Sequence, residues 1–181
     1  YFYMKEWAGV DAQTGSPLWV RWEDKDGGIV NGADKETPAK ILTTNNYNNA
    51  SNLFVRSAYP DFTGGIGNDF FYKNFSLSVL CNFVTGQYIY FSQREFIDDD
   101  GTVLSKNQMN PHKDWSRWEK PGDIATEPQL LLGGNLNSNK TSSRYLEDGS
   151  YFRIQNLTLN YRFPKVFSGL GLNLSVDNLA V

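Results

Sequence analysis

Apolar and polar residues alternate along several stretches of this chain. That period of two predicts β-strands, because successive side chains of a strand point to opposite faces. The two clearest stretches are residues 62–72 and 75–85, which Lys73 and Asn74 separate. Two alternating runs around a two-residue polar turn predict a β-hairpin. The aromatic residues from Tyr88 onward prolong the second strand or mark its end.

Two further strands are predicted towards residue 181. Within residues 151–163 the apolar positions change parity between Ile154 and Leu157, which predicts a β-bulge. After a short connection at residues 164–169, the segment from Leu170 to Val176 alternates again with glycine and polar residues. One apolar face and one hydrophilic face are what a strand between lipid and a wet lumen requires.

Two long polar segments separate the strands. Residues 9–60 include a short strand at 19–23 and read as loop from residue 24 onward, and residues 92–149 form the second segment. Outer-membrane barrels carry such loops on one side and short turns on the other. With residues 1–8 as a strand, the pattern predicts an all-β fold. It consists of antiparallel strands of a partial transmembrane β-barrel, with about five wall strands and long extracellular loops.

Composition narrows the classes of function. The chain has 181 residues, a formal net charge of −3 and a single cysteine. A nucleic-acid partner is not expected, because nucleic-acid recognition needs a basic face. No stretch approaches the roughly 18 apolar residues of a membrane helix. The aromatic share of 15% favours strands.

Four segments carry a family resemblance, in the order that the family shows. They are Phe2–Asp11 with Thr14–Trp19, Pro60–Ser78, Trp118–Asp123, and Ser142–Pro164 with Leu174–Leu179. The last of these is the most specific. Together they span nearly the whole chain, which resembles the C-terminal part of SusC/RagA-like TonB-dependent outer-membrane transporters of Bacteroidetes.

The resemblance implies active import of large nutrients, glycans or peptides, across the outer membrane. It implies a SusD-like surface lipoprotein as the lid of the barrel, contact with outer-membrane lipid, and energy from TonB through N-terminal regions absent from this sequence. The family's plug domain and final wall strand are also absent. Residues 1–181 are therefore expected to be a single fragment of the barrel, which does not transport by itself.

No catalytic residue, metal or cofactor is expected. His112 is the only histidine and is predicted to be a solvated loop residue. The run Asp98–Gly101 lacks the spacing and closing glutamate of a calcium loop, so a charged, solvated loop tip is predicted. Glu147 and Asp148 would point to opposite faces of a strand, which excludes a glycosidase pair and leaves them to shape the turn before Gly149.

Four aromatic residues are candidate contacts for a substrate or partner. They are Trp115, Trp118, Tyr88 and Tyr90, whose rings could stack on sugars. Aromatic residues near a barrel rim more often form the interfacial girdle or pack loops together.

Two other functions compete with transport. A soluble β-sandwich that binds carbohydrate is the main alternative, and a glycan-cleaving enzyme is disfavoured by the placement of the carboxylates. An open set of strands leaves unpaired edges. If isolated, the chain is therefore predicted to aggregate, self-associate or adopt a compact arrangement other than a barrel.

Overall fold

A computed structural model describes residues 1–34, 37–103, 113–164 and 169–180. The fold is all-β with antiparallel strand pairing, as predicted. In chain order the strands are β1 (Tyr3–Lys5), β2 (Trp7–Val10), β3 (Pro17–Glu23), β4 (Ile29–Val30), β5 (Lys40–Thr44), β6 (Asn52–Phe54), β7 (Phe62–Tyr72), β8 (Phe75–Thr85), β9 (Tyr88–Tyr90), β10 (Leu146–Asp148), β11 (Tyr151–Arg162) and β12 (Gly171–Ala180). One short helix, α1 (Arg94–Ile97), and two 3-10 turns, Tyr47–Asn49 and Ser143–Tyr145, complete the elements.

The chain forms two compact units, each built from two separate stretches. Tyr1–Arg56 and Ile89–Glu147 make the first, which we call the loop unit. Ser57–Tyr88 and Asp148–Val181 make the second, which we call the sheet unit.

The loop unit is more regular than the alternation predicted. Strand β3 pairs with β2, β4 and β5, and β1 pairs with β6. Three strands therefore lie within residues 24–60, so the prediction of a continuous loop there was wrong. The centre of this unit is Trp19, which is fully buried and meets Trp7 and Tyr47 edge-on at ring distances of 5.8 and 5.4 Å.

The sheet unit is one four-stranded antiparallel sheet in the order β12-β11-β8-β7. The hairpin of β7 and β8 is confirmed with the predicted bounds, from Phe62 paired with Thr85 to Tyr72 paired with Phe75. Lys73 in the tight turn adopts a φ of 52°. The bulge in β11 is also confirmed, because its register against both neighbours shifts between Ile154 and Asn156.

The structure corrects the predicted number of neighbouring strands. The sheet contains four strands rather than about five, because residues 1–8 pair within the loop unit instead. Of the two predicted alternatives for the aromatic residues after β8, the structure favours the end of the strand. Strand β8 ends at Thr85, and Tyr88–Tyr90 is a separate strand, β9, which pairs with β10.

Two sequence predictions fall partly or wholly outside the described residues. His112 lies outside them, and so do residues 165–168 of the predicted connection between β11 and β12. Within the described ranges, none of the helices is long and apolar enough to cross a membrane.

Candidate functional site

The sheet unit has two chemically different faces. Residues that pair directly across antiparallel strands share a face, so the register assigns each side chain to one side. One face is almost entirely apolar, and we call it the apolar face. Its side chains are Phe62, Ile66, Phe70, Tyr72, Phe75, Leu77, Val79, Cys81, Phe83, Phe152, Ile154, Leu157, Leu159, Tyr161, Leu172, Leu174 and Val176.

Much of the apolar face is exposed. Leu172 and Leu174 are 62% and 59% exposed, and Ile66 and Phe70 are similarly open. A monomeric water-soluble domain rarely leaves a contiguous apolar surface of this kind uncovered. One aromatic ring on this face packs over a glycine of the neighbouring strand. A Cβ atom on Gly64 would lie 2.8 Å from Cζ of Phe83, so the ring covers the glycine from the neighbouring strand.

The opposite face of the sheet is hydrophilic, and we call it the hydrophilic face. Polar side chains bridge neighbouring strands there: Ser78 donates to Asp69, and Asn156 donates to Asp177 at 2.8 Å. Thr158 and Ser175 also hydrogen-bond at 2.9 Å. The apolar exceptions on this face are Phe71, Leu80 and Val84, with the aromatic Tyr151. The sheet therefore has one apolar and one largely polar face.

The loop unit contains a buried cluster of charges that sequence reasoning missed. Asp98, Asp99 and Asp100 are 5%, 0% and 0% exposed, so the prediction of a solvated loop tip was wrong. Nη1 of Arg144 donates to Oδ2 of Asp100 at 2.6 Å, and Nη1 of Arg117 donates to Oδ1 of Asp100 at 2.8 Å. Buried ions need such partners, because desolvating an unpaired charge costs several kcal/mol.

Further contacts complete the cluster. Arg144 also forms an ion pair with Glu127, and Arg94 pairs with Asp98 at 3.1 Å and with Glu147. Asp99 is instead satisfied by backbone: its carboxylate accepts from the amides of Gly101 and Val103. The cluster ties Arg94 of α1 to Glu147, 53 residues further along the chain, and thereby links distant described parts of the second long polar segment.

Burial and the charges of neighbouring groups have opposing effects on each pKa in the cluster, and the net shift is upward for Glu127, Arg144 and Tyr145. Burial raises the pKa of Glu127, and the nearby Arg144 only partly offsets this. Burial by itself lowers the pKa of Arg144, but the carboxylates of Asp100 and Glu127 outweigh it and the pKa is raised. Burial raises the pKa of Tyr145, whose hydroxyl therefore stays protonated. Arg144 is held as a permanent cation at the centre of the cluster.

The carboxylates of Asp98, Asp100 and Glu127 come within 4.8 Å of one another, a spacing that could hold a cation. The guanidinium group of Arg144 lies 3.5 Å from Asp98 and already bonds to the other two carboxylates. A metal ion would have to share this space with a fixed positive charge. The residues therefore suit an ion-pair network and do not fit a metal site.

In the structure, the four aromatic residues that were predicted to contact a ligand all interact with other residues of the chain. Trp118 is 6% exposed, and its Nε1 donates to the carbonyl of Ala12 at 2.9 Å. The ring of Trp115 lies under the guanidinium group of Arg94, with 4.1 Å between Cζ and the ring centre. These two tryptophans pack the loop unit, and a role of either in ligand contact stays a prediction.

The two tyrosines occupy β9 and are half-buried. The hydroxyl of Tyr90 donates to Glu95. Burial and this hydrogen bond raise the pKa of Tyr90, so the hydroxyl remains a donor. The backbone amide of Tyr88 donates to the carbonyl of Ser57 at 2.9 Å. Contact of either ring with substrate or partner likewise stays a prediction.

The prediction that Glu147 and Asp148 shape the turn before Gly149 holds for Asp148 and was wrong for Glu147. Oδ1 of Asp148 accepts from the amide of Ser150 at 2.9 Å. Hydrogen bonding from the side chain of Ser150, and then from its amide, lowers the pKa of Asp148. Glu147 instead points to the charge cluster, where it pairs with Arg94. The two carboxylates thus have separate partners.

The chain is similar to two curated proteins of Formosa agariphila. It is 29% identical over 132 residues to TonB-dependent receptor P39, a match that covers 69% of this chain and 12% of the receptor. It is 27% identical over 147 residues to TonB-dependent receptor P3, covering 81% of this chain and 13% of that receptor. The chain thus spans about an eighth of the length of these relatives. No family model matches it.

Solved structures of the RagAB peptide transporter share the fold. One matches with a TM-score of 0.69 at 24% identity over 99% of this chain and 19% of the transporter chain. The same importer in its closed-closed state gives a TM-score of 0.61 at 25% identity, again over 99% and 19%. The resemblance to SusC/RagA-like TonB-dependent receptors is thereby confirmed. These relatives are named as receptors and transporters rather than enzymes.

Proposed function

We propose that the chain is part of an outer-membrane TonB-dependent transporter that imports large nutrients, peptides or glycans. In this proposal β7, β8, β11 and β12 are neighbouring strands of the barrel wall. Their apolar face meets lipid and their hydrophilic face lines the lumen, as the alternation of a membrane barrel requires. The loop unit belongs to the cell exterior, where it meets substrate and a SusD-like lipoprotein.

The observation that carries the proposal is the exposed apolar face, with Leu172 and Leu174 more than half exposed. A carbohydrate-binding β-sandwich would bury that face as its core. Each outer strand, β7 and β12, has one partner in the sheet. In a barrel, further strands of the same protein would pair with those edges. The similarity to TonB-dependent receptors and to a peptide transporter supports the same assignment.

The relatives also favour a lipoprotein partner and a peptide cargo, because the solved structures are of a two-component peptide transporter. Uptake measurements in cells distinguish whether the transporter imports peptides or glycans. The experiment compares native cells with cells that lack the full-length protein, and supplies labelled peptide mixtures or labelled oligosaccharides. A matched strain that lacks TonB function controls for energy dependence.

The expected result is loss of one class of uptake in both mutant strains, with the protein in the outer-membrane fraction and a surface lipoprotein copurifying. Unchanged uptake of both classes would contradict the transport proposal. A water-soluble protein that binds sugar without detergent would instead support the sandwich.

A further inference from the structure

A row of three residues crosses the hydrophilic face of the sheet. Arg153 on β11 pairs directly with Asn82 on β8, and Asn82 pairs directly with Gly65 on β7. Directly paired residues have Cβ atoms about 4.5–5.5 Å apart. The row therefore brings a cation, an amide and an exposed glycine together on the hydrophilic face.

Arg153 differs from the arginines of the loop unit. Arg94, Arg117 and Arg144 each pair with carboxylates. In the described part of the chain, Arg153 has a stacking contact with Tyr151, 5.2 Å from Cζ to the ring centre, and no carboxylate partner. Its Nε is buried and has no hydrogen-bond partner there. The guanidinium is thus held in place but not neutralised.

The acidic side chains of the strands on this face have other partners. On the same face, Asp69 accepts from Ser78, and Asp177 accepts from Asn156. A guanidinium group binds carboxylates with two parallel hydrogen bonds, and this pairing is among the stronger polar contacts in proteins. An unneutralised, stacked arginine on a polar surface is therefore suited to an external carboxylate.

Asn82 adds an acceptor beside this cation. Its Nδ2 donates to Oε1 of Gln155 at 3.3 Å, which orients the amide, and its Oδ1 is buried without a partner. Leaving a buried polar atom unpaired is energetically unfavourable. A ligand that brings both a carboxylate and an N–H donor would satisfy both Arg153 and Asn82.

The third position leaves room for such a ligand. Gly65 has no side chain, and a Cβ placed on it would meet only the carbonyl oxygen of Cys81, at 3.4 Å, within 4 Å. The row is therefore open on the side of Asn82 that faces away from Arg153. A peptide supplies both groups that the row lacks, since its backbone carries N–H donors and its acidic side chains carry carboxylates.

We propose that Arg153 and Asn82 form a binding site for an acidic peptide segment. The guanidinium group of Arg153 binds a carboxylate of the peptide, and Oδ1 of Asn82 accepts a hydrogen bond from a backbone N–H of the peptide. Gly65 leaves space for the peptide backbone. This inference rests on the proposed function, because it assumes that the hydrophilic face lines the path of the cargo. It adds a charge preference to that function.

The test uses the purified full-length transporter in detergent and two fluorescent peptides that differ only by glutamate or glutamine side chains. The wild type is expected to bind the glutamate peptide more tightly. Arg153→Gln is expected to weaken that binding by about tenfold or more, because a hydrogen-bonded charge pair is lost, while binding of the glutamine peptide falls far less. Retained binding of the glutamine peptide also shows that the variant is folded.

Two variants sharpen the result. Arg153→Lys is expected to keep part of the preference, because it retains the charge but not the forked geometry. Arg162→Gln removes an exposed arginine from the same strand and the same face, and is expected to leave both affinities unchanged.

Equal affinity of the wild type for the two peptides, or a preference that survives Arg153→Gln, would overturn the inference. Arg153-dependent binding of trigalacturonate without any peptide binding would also overturn it, and would assign the site to acidic glycans. Any of these results combined with TonB-dependent uptake in cells defeats this inference while leaving the proposed function standing.

Discussion

The loop unit buries charged groups, whereas the sheet unit exposes apolar ones. In the loop unit, Asp99 and Asp100 are fully buried and Arg144 is nearly so. In the sheet unit, Leu172, Leu174 and Phe70 are more than half exposed. Each arrangement would be costly if its surroundings were not matched to it. The loop unit supplies partners for its charges internally, while the proposed position in the barrel wall supplies lipid as the apolar surroundings of the sheet unit.

The difference shows what each unit requires in order to fold. Ion pairs, backbone hydrogen bonds and the packing around Trp19 give the loop unit its own interior. The sheet unit is a single layer, and one layer cannot bury its own apolar face. We therefore expect substitutions in the loop unit to act through internal contacts, and substitutions in the sheet unit to act through the contact with lipid.

The largest effect is expected from Arg144→Met in the full-length protein. It leaves Asp100 and Glu127 buried without their shared cation, which typically costs about 3–5 kcal/mol. Limited proteolysis should then cut within residues 89–147 far faster than in the wild type. Lys120→Met, which removes an exposed charge from the same unit, is the control and should leave cleavage unchanged. Equal resistance of wild type and Arg144→Met would show that the charge cluster does not hold the loop unit together.

The sheet unit is expected to respond to charge on one face only. Leu174→Arg places a cation on the apolar face and should destabilise the inserted protein by about 2–4 kcal/mol at mid-membrane depth. Asn173→Arg, one residue away on the hydrophilic face, should be tolerated. Heat-modified gel mobility and the amount of protein in the outer membrane measure both. Similar losses for the two variants would remove the distinction between the faces.

A smaller effect is expected where Phe83 covers Gly64. Gly64→Ala forces the ring to move, since the added Cβ would approach it to 2.8 Å. Overpacking a well-packed core costs about 1–3 kcal/mol. The cost here is expected at or below the low end of that range, because the far end of a half-exposed ring can move aside. Gly67→Ala is the matched control on the same strand, because its added Cβ would have ordinary contact with Leu80 at 3.7 Å. Unfolding by denaturant in detergent compares the two, and equal stabilities would argue against the observed packing of Phe83.

The smallest expected effect is a pH dependence through Glu127. Its pKa is raised in the folded state, mainly by burial, so the folded loop unit binds that proton more tightly than the unfolded chain does. This contribution is present below the ordinary value of 4.5 and is lost as the pH rises through the raised pKa.

The measurement is the proteolytic resistance of the loop unit between neutral pH and pH values near that ordinary value, for wild type and Glu127→Gln. The wild type should gain resistance relative to the variant as the pH falls. A wild type that loses resistance relative to Glu127→Gln on acidification would reverse the assigned direction of the shift.

Local alternation explains why the sheet unit could be predicted. Strands β7 and β8 were predicted with their observed bounds, since each contains eleven residues of period-two pattern around Lys73 and Asn74. The bulge near Ile154 was visible as a change of parity. The same local signal could not show that residues 1–8 pair elsewhere, because the partner strand β6 lies about fifty residues away.

The loop unit was hidden for two physical reasons. Its strands are short, with only two residues in β4, so alternation is too brief to detect. Its charged core depends on Arg144 reaching Asp100 across 44 positions of sequence. A run of three aspartates reads as a solvated tip unless that partner is known. The available signal was the presence of three arginines, at positions 94, 117 and 144, in the same polar segment as the aspartates.

The most direct test of the central claim is the environment of successive side chains along β12. Single nitroxide labels at positions 172 to 177 of the full-length protein in lipid bilayers report contact with oxygen, which favours hydrocarbon, or with a water-soluble nickel reagent. The account predicts a period of two, with oxygen contact at 172, 174 and 176 and nickel contact at 173, 175 and 177. Uniform water contact, or shielding of 172, 174 and 176 from both reagents, would contradict it.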